Sequence, residues 1–461
     1  MSASKRLLVI TRSKNTTSFK QRIEPYIASL AQRGIECDVQ EFKSGRAGRA
    51  QLKSAKNYDG VWMHRKTLKM MDARALRKNA KKVIYEFDDA IVFPSNSESP
   101  DPHPMRLKQF RRMIALADLV IVGNETLAEL GRKYGADLVT VIPTGLDASK
   151  YIQKEHKVND DVEDNTEDET PDETYGETNI DTDDTADDEI TDETNIDTDD
   201  TACDETTDET SIDTDETTDE TDIDTDDTAD DETTDEANID TDDTAGDETD
   251  DETTDETYDE TGIDTDENAY EDSYEDSYED SHEDMEQIRL VWIASNITIE
   301  QLRQFTEMLD SISWQMPDVI LRVIADEDLV TETLEVENIA WCPEDQARLI
   351  SECDIGIAPL PDTPFARGKC GLDVLQYMAS GLPVITSSVG VNAEYVQDYD
   401  NGFIAYDDQH WADSVSQLLY DPELRATQGQ AGLERVQQEF DFKILAPKVC
   451  DAIEGALKQD D

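Results

Sequence analysis

Short apolar segments alternate with amphipathic segments along the first 150 residues of the chain. The apolar segments are rich in Val, Ile and Leu, as buried strands are, and the segments between them place apolar residues at helical spacing. The predicted strands, in chain order, are KRLLVIT, IECDVQEF, YDGVWMHR, KKVIYEFDD, DLVIVGN and LVTVIPTG. This alternation predicts a largely parallel sheet covered by helices.

The same alternation resumes at residue 288. The predicted strands of this second half are IRLVWIAS, LRVIAD, NIAWCPED, DIGIAPL and LPVITSS, with helices such as 299–312 and 345–352 between them. Two such halves predict an α/β protein with two Rossmann-like domains that face a cleft. Because ligands of such sheets bind at the carboxyl ends of the strands, we expect the functional site in that cleft.

A different kind of sequence separates the two halves. Residues 158–285 contain 62 Asp and Glu and no Lys or Arg, repeat variants of IDTDDTADDET, and end in repeats of YEDS. With few apolar side chains, this segment cannot offset the ~1–2 kcal/mol of backbone entropy that each ordered residue costs. We therefore predict a long disordered acidic linker at 158–285, between domains at 1–157 and 286–461.

The formal net charge of −71 describes this linker more than the two domains. Residues 1–157 carry 29 Lys and Arg against 17 Asp and Glu, a net charge of +12, whereas residues 286–461 carry 11 against 32, a net charge of −21.

Much of the positive charge of the first half lies at 64–82 and 105–113, both with helical spacing, and the second segment places Leu107, Phe110 and Met113 near one face. A basic amphipathic surface suits an anionic membrane or an anionic acceptor, and solvated helix faces are the alternative. No recognition motif accompanies the cations, so we expect no nucleic-acid partner.

The remaining composition excludes several classes of protein. The six cysteines form no CxxC pair, and no stretch approaches the ~20 apolar residues that cross a bilayer. These features predict a cytoplasmic protein that is at most peripheral to the membrane. The five histidines show no metal-ligand or triad spacing, and the chain has no G-x-S-x-G or Walker motif, which argues against serine hydrolases and P-loop NTPases.

The stretch from residue 365 to residue 396 carries the most specific chemical signal. Arg367, Lys369, Cys370 and Gly371 come just before a segment with helical spacing, so two cations and a permissive backbone lie at a predicted helix start. Free amides there, with the positive end of the helix dipole, suit a diphosphate. Ordinary surface charge is the alternative interpretation of Arg367 and Lys369.

Several motifs in this order resemble the retaining glycosyltransferases of family 4, also called group 1. They are LLVI near the start, ADLVIVGNETLAELGRKYG, VIPTGLD, ECDIGIAPL and the stretch at 365–396. The resemblance implies the GT-B fold and transfer of a sugar from a nucleotide-diphosphate-sugar donor to a glycan or lipid-linked acceptor, as in cell-surface polysaccharide biosynthesis. The first domain would then serve the acceptor and the second the donor. Enzymes of this fold usually work without a metal ion, so we expect no obligatory cofactor.

The sequence departs from the family pattern at the donor site. The family's two glutamates, eight residues apart, fall on Gly368 and Gln376. Gln376 keeps an acceptor oxygen for the ribose hydroxyls. The carboxylate that contacts the transferred sugar is lost at Gly368, and Glu394 is a candidate to replace it, although it could equally be a solvated acid at a helix start.

Phosphate binding is also expected to differ from the family pattern. An Arg and a Lys usually follow the first strand of the second domain, where this chain has Ser295 and Asn296. We therefore expect Arg367 and Lys369 to carry more of the phosphate charge, with Ser295 close by. Trp341 is a candidate neighbour of the nucleobase, and a core tryptophan is the alternative.

In the first half, VIYEFDDAIVF places Asp88 at the end of a strand that faces the predicted cleft. Related enzymes often have a histidine there, so Asp88 is a candidate base or a hydrogen-bond partner of the sugar or acceptor, and an acidic turn is the alternative. Arg22 and Thr144 are candidates for the acceptor side, and a salt-bridged surface arginine is the alternative for Arg22. The two aspartates could suggest a metal, but a helix start with Arg and Lys already neutralises a diphosphate.

Two other functions are compatible with these features. A sugar-nucleotide epimerase shares the fold and needs no acceptor. A non-catalytic scaffold with a degenerate cleft could instead use the acidic repeat to bind cations or partners.

Overall fold

A computed structural model of the protein describes residues 4–95, 99–151, 287–294 and 296–458. Within these ranges the chain forms two six-stranded sheets, one in each half, with helices on their faces. All strand pairs in both sheets are parallel. The predicted acidic linker and the candidate residue Ser295 lie outside the described residues.

The first sheet is built from the N-terminal half. Its strands are β1 (Lys5–Thr11), β2 (Ile35–Glu41), β3 (Gly60–His64), β4 (Val83–Phe87), β5 (Leu119–Val122) and β6 (Val139–Val141). Its helices are α1 (Thr17–Arg22), α2 (Glu24–Gln32), α3 (Gly45–Ser54), α4 (Met70–Asn79), α5 (Pro104–Ile114) and α6 (Glu125–Lys133), with 3-10 turns at Ala55–Asn57 and Ala148–Lys150. The strand order is β2-β1-β3-β4-β5-β6.

The second sheet is built from the C-terminal half. Its strands are β7 (Ile288–Ile293), β8 (Val319–Ile324), β9 (Glu335–Ile339), β10 (Ile355–Ala358), β11 (Val384–Ser387) and β12 (Gly402–Ala405), in the order β12-β11-β10-β7-β8-β9. Its helices are α7 (Asn296–Leu302), α8 (Thr306–Gln315), α9 (Gln346–Ser351), α10 (Leu372–Ala379), α11 (Asn392–Tyr395), α12 (Asp408–Tyr420), α13 (Pro422–Arg435) and α14 (Phe442–Ala456). The 3-10 turns Arg303–Phe305 and Ala366–Gly368 and a π-helical turn at Val436–Phe440 complete this half.

The central strands are buried on both faces, which explains their continuous apolar sequences. Leu7, Leu8, Val9 and Ile10 of β1 are all fully buried. Leu8 and Ile10 join one hydrophobic layer, and Leu7 and Val9 join the opposite one. Parallel strands also place all their carboxyl ends at one edge of the sheet, so the loops that carry the candidate residues gather there.

The last helix returns to the first domain. In α14, Leu445, Val449 and Ile453 are buried against Ile23 and Leu30 of the first domain. Each such side chain contributes ~1.5–3 kcal/mol by burial, so this packing fixes the helix firmly.

The two places where the chain passes between the domains are hydrogen-bonded to each other. The Leu146 amide donates to the Phe440 carbonyl at 3.1 Å, and the Phe442 amide donates to the Leu146 carbonyl at 3.0 Å. The crossing segments therefore form one short paired structure between the two domains.

The structure confirms the predicted fold class and corrects several elements. The predicted helix at 299–312 is α7 and α8, interrupted by the turn Arg303–Phe305. Strand β9 ends at Ile339, so most of the predicted strand NIAWCPED is a loop, and β12 is absent from the predicted strands. The domain bounds stay predictions, although α14, placed in 286–461, packs on the first domain.

Candidate active site

A cavity of about 360 Å³ lies between the carboxyl ends of the strands of the two sheets. Its walls come from the loops and helix starts that follow strands in both domains. Eight of the predicted site residues line it, namely Arg22, Asp88, Thr144, Trp341, Lys369, Cys370, Gly371 and Gln376. The structure thus brings most of the candidates to one place, and their individual roles stay predictions.

A chain of hydrogen bonds ends at Asp88. Ser18 Oγ donates to Asp88 Oδ2 at 2.5 Å and lies 2.8 Å from His64 Nε2. Because the only Ser18 hydroxyl proton goes to Asp88, a neutral His64 must carry its proton on Nε2 and donate it to Ser18. His64 Nδ1, which lies 3.0 Å from Thr11 Oγ1, is then the acceptor.

Charge and burial set the ionisation of this chain. Burial, only partly offset by Asp88, lowers the pKa of His64 to about 4, so His64 is neutral at pH 7. Burial raises the pKa of Asp88, but Arg65, His64, the Ser18 hydroxyl and Arg22 together hold it below its ordinary value. Asp88 is therefore a carboxylate, and its Oδ1 has no hydrogen-bond partner within the described part of the chain.

Arg22 and Glu86 form a buried ion pair beside Asp88. Arg22 Nε donates to Glu86 Oε1 at 2.8 Å, and its Nη1 donates to the carbonyl of Ile142 at 2.7 Å. Each side chain is only 2% exposed. Burial, with a smaller contribution from Asp88, raises the pKa of Glu86 to about 7, although Arg22 acts to lower it. Arg22 lines the cavity with its charge already paired, so it is not the surface arginine that was the alternative.

Arg65 is a cavity residue that the sequence did not indicate. It follows β3 with φ at +57°, a left-handed conformation that costs a residue with a side chain about 1 kcal/mol. Its Nε lies 3.3 Å from Asp88 Oδ1, and its Nη2 donates to Asp89 Oδ2. The charges of the two aspartates are thereby held by one guanidinium group at the cavity wall. The segment HRKTLK has no residue type that indicates a left-handed backbone, so the sequence does not predict that Arg65 faces the cavity.

The loop before α10 supplies a further cation of the cavity, Lys369. Lys369 Nζ donates to Gln301 Oε1 at 3.3 Å, and burial lowers its pKa although Asp373 and Asp89 act to raise it. Gly371 caps α10 with φ at +58°, and a Cβ there would lie 2.9 Å from Asn392 Oδ1, so glycine is required by conformation and by space. The first amides of a helix have no partner within it, and here they adjoin the cavity.

Two further candidates are fixed by neighbours in the cavity wall. Gln376 Nε2 donates to Tyr151 Oη at 3.0 Å, an arrangement that leaves the amide oxygen as an acceptor. Trp341 Nε1 donates to Gln346 Oε1 at 3.2 Å, and Gln346 also lines the cavity. Both side chains are therefore held in one orientation before any ligand arrives.

The structure does not bring Arg367 or Glu394 to the cavity. Arg367 donates from Nε and Nη2 to the two carboxylate oxygens of Asp362 at 2.5 and 2.7 Å, and its side chain is 56% exposed. The turn Ala366–Gly368 directs it to solvent while Lys369 reaches the cavity. Glu394 is exposed in α11. The structure therefore places both side chains outside the cavity wall, and the roles predicted for Arg367 and Glu394 stay predictions without support from the cavity.

Comparison with known proteins shows a similarity within the second half of the chain. Residues 288–421 match the family described as Glycosyl transferases group 1. A stretch of 98 residues is 32% identical to D-inositol 3-phosphate glycosyltransferase of Corynebacterium aurimucosum, covering 21% of this chain and 22% of that protein. A stretch of 116 residues is 28% identical to Spore coat protein SA of Bacillus subtilis, covering 24% and 29%. The chain thus spans less than a third of the length of these relatives.

Solved structures extend the similarity to both domains. HepE of Anabaena, crystallised with UDP and glucose, has a TM-score of 0.54 at 13% identity and covers 98% of this chain and 100% of its own. Sucrose-phosphate synthase of Thermosynechococcus elongatus has a TM-score of 0.55 at 13% identity, with coverages of 99% and 100%. WaaG, a glycosyltransferase of lipopolysaccharide biosynthesis, has a TM-score of 0.50 at 12% identity, with coverages of 97% and 100%. The chain therefore has the GT-B fold, and its residues 288–421 match the glycosyl transferase group 1 family.

Proposed function

We propose that the protein transfers a sugar from a nucleoside diphosphate sugar to an acceptor hydroxyl, with retention of the anomeric configuration. The observation that carries the proposal is that Lys369 and the start of α10 line the same cavity as Asp88. A cation at a helix start suits the leaving diphosphate, and a carboxylate suits sugar hydroxyls. The group 1 domain and the UDP complex of HepE support this proposal.

On the donor side, Lys369 and the amides at the start of α10 would hold the diphosphate, whose charge increases as the sugar leaves. The free amide oxygen of Gln376 would accept hydrogen bonds from the ribose, and Trp341 would adjoin the nucleobase. These groups neutralise the diphosphate without a metal ion. We therefore propose a reaction that needs no divalent cation.

On the opposite side, Asp88 would receive the transferred sugar or the acceptor. Its Oδ1 makes no hydrogen bond within the described residues, although Arg65 Nε lies 3.3 Å away, and the ionised carboxylate accepts hydrogen bonds only. Ser18 holds the other oxygen, so the carboxylate is fixed before the ligand binds. Asp88 is thus our candidate for orienting a reacting hydroxyl.

The experiment that tests this function is turnover of a panel of UDP-, GDP- and ADP-sugars, with and without glycan and polyprenol-linked acceptors. Release of nucleoside diphosphate that depends on an acceptor is the expected result, and it should fall strongly in a Lys369→Met variant. Interconversion of donor sugars without an acceptor would instead show an epimerase. A chain that neither binds nor turns over any member of the panel would refute transfer and leave the scaffold.

Retention is tested separately by the product. Proton NMR of the first product formed should show the same anomeric configuration as the donor. The inverted configuration would refute retention without affecting the assignment of the donor site.

We further propose that the first domain contacts an anionic membrane through the starts of α4 and α5, two helices that contact each other. Met70, Met71 and Met105 are 44%, 62% and 56% exposed there, among exposed lysines and arginines. The predicted apolar face of α5 is not available, because Phe110 and Met113 are buried in the core. Within the described residues, every helix is too short or too polar to cross a bilayer. Vesicle sedimentation should show binding that needs anionic lipid and weakens when these three methionines become serine; equal binding by the variant would refute this surface.

A further inference from the structure

Asn124 connects the first domain to the loop that carries Lys369. Its Oδ1 accepts from the Leu127 amide at 2.9 Å and so caps α6. Its Nδ2 donates to the Lys369 carbonyl at 2.9 Å and to the Gly368 carbonyl at 3.3 Å. The side chain is 3% exposed, so both halves of the amide are used inside the protein. A helix cap needs only the side-chain oxygen. The side-chain nitrogen of Asn124 instead makes hydrogen bonds to the second domain.

Other residues of the first domain pack tightly against the same loop. Cys370 Sγ donates to the Asp88 carbonyl at 2.9 Å. At Gly368, a Cβ would lie 2.6 Å from Ala90 Cβ and 3.1 Å from Leu127 Cδ2. At Gly123, a Cβ would lie 2.2 Å from Cys370 Sγ. We call residues 368–370 the docked loop, because its backbone is packed against the first domain on these sides.

We propose that Asn124 is a positioning residue, which holds the docked loop against the first domain and so places Lys369 and the start of α10 at the cavity. This inference rests on the proposed function, because it assigns Lys369 to the nucleotide. It adds that nucleotide binding depends on a first-domain residue that touches no ligand. If only the docked arrangement binds the diphosphate well, any change that undocks the loop raises the apparent dissociation constant in proportion.

Two substitutions separate the capping role of Asn124 from its positioning role. Asn124→Asp and Asn124→Ser both keep an oxygen that caps a helix about as well as asparagine does. Neither can donate to the Lys369 and Gly368 carbonyls as the amide does, and the aspartate oxygens would repel them. Asn124→Ala loses both the cap and the contacts with the docked loop. The difference between Asn124→Ala and the other two variants therefore measures the contribution of the cap.

The docked loop contains its own reporter. Burial raises the pKa of the Cys370 thiol to about 12, so a docked Cys370 reacts slowly with iodoacetamide. Undocking exposes the thiol and returns its pKa towards the ordinary value. Cys353, fully buried in the second domain, is the control that reports unfolding of that domain.

The experiment measures alkylation of each cysteine by peptide mass spectrometry, together with UDP, GDP and ADP affinity by calorimetry, on the full chain. In Asn124→Asp and Asn124→Ser, we expect Cys370 to react about tenfold faster and the dissociation constant of the nucleotide to rise about tenfold, while the alkylation rate of Cys353 stays unchanged. Unchanged affinity in both variants overturns the proposal, even if Cys370 reacts faster. A wild-type chain that binds none of the three nucleotides refutes the proposed function, and with it the role of Asn124.

Discussion

Gly123→Ala offers a direct test of the packing between the docked loop and the first domain. The residue directly follows β5, and its backbone conformation is open to alanine, so the only new feature is the methyl group. That methyl would lie 2.2 Å from Cys370 Sγ, far closer than van der Waals contact allows. The sulfur would have to move, and this movement would disturb its hydrogen bond to the Asp88 carbonyl.

Two effects contribute to the expected loss of stability, namely overpacking of the site and loss of the Cys370 hydrogen bond. Overpacking of a well-packed site costs typically ~1–3 kcal/mol, and loss of one hydrogen bond costs about 1 kcal/mol. We therefore expect Gly123→Ala to lower the free energy of unfolding by about 1–3 kcal/mol. In a Cys370→Ala background the nearest atom would be the Cβ of residue 370, at 3.5 Å, which is ordinary contact. The same methyl should then cost almost nothing.

Urea unfolding of the four chains, followed by tryptophan fluorescence, measures this double-mutant cycle. The two substitutions should show a coupling energy of about 1–3 kcal/mol, because the second removes the atom that the first collides with. Additive costs would mean that Cys370 does not lie against Gly123. The docked loop would then have to be abandoned, and with it the role given to Asn124.

Three further predictions concern charge. Lys369→Met should weaken UDP binding at least tenfold by calorimetry, whereas Arg367→Met, the matched control two residues away, should change it less than about twofold because Arg367 is paired with Asp362. Burial lowers the pKa of His64 to about 4 from 6.5, so the unfolded chain takes up the proton first and stability should fall by about 3 kcal/mol as the pH drops from 6.5 to 4. Urea midpoints at pH 7 and 4.5 should show this loss in the wild type and a much smaller one in His64→Asn; equal losses would contradict the assignment. Finally, EDTA should leave transferase turnover unchanged, and activity that returns only with added Mn²⁺ would show that Lys369 and α10 do not suffice.

Most of the strands can be predicted from the sequence because a short continuous apolar segment is typical of a strand buried on both faces of a parallel sheet. A run such as LLVI is buried on both faces of a parallel sheet, and the pattern needs no knowledge of distant contacts. The partner of α14 is different in kind. Its apolar stripe shows that one face is buried, but nothing in the stripe says that the burial lies on the first domain.

The residues of the candidate site also fall into two groups, those with a local sequence signal and those without one. Asp88 could be predicted because it directly follows a strand, and all strand ends of a parallel sheet meet at one edge. Arg367 and Lys369 look alike in sequence, and only the turn Ala366–Gly368 separates them. Arg65 and Asn124 were missed because their importance comes from a left-handed backbone and from a contact between domains, neither of which has a local signature.

Gly368 acquires a different meaning once its surroundings are known. In the sequence it stands where related enzymes have a glutamate that contacts the sugar, and it suggests a weakened donor site. In the structure it adjoins Ala90 so closely that even a methyl group would collide. The glycine and the docked loop are therefore one structural feature, since a larger side chain would push the loop, and Lys369 with it, away from the first domain. This packing is consistent with our proposal that Asp88 of the first domain, and not residue 368, supplies the carboxylate for the sugar or the acceptor.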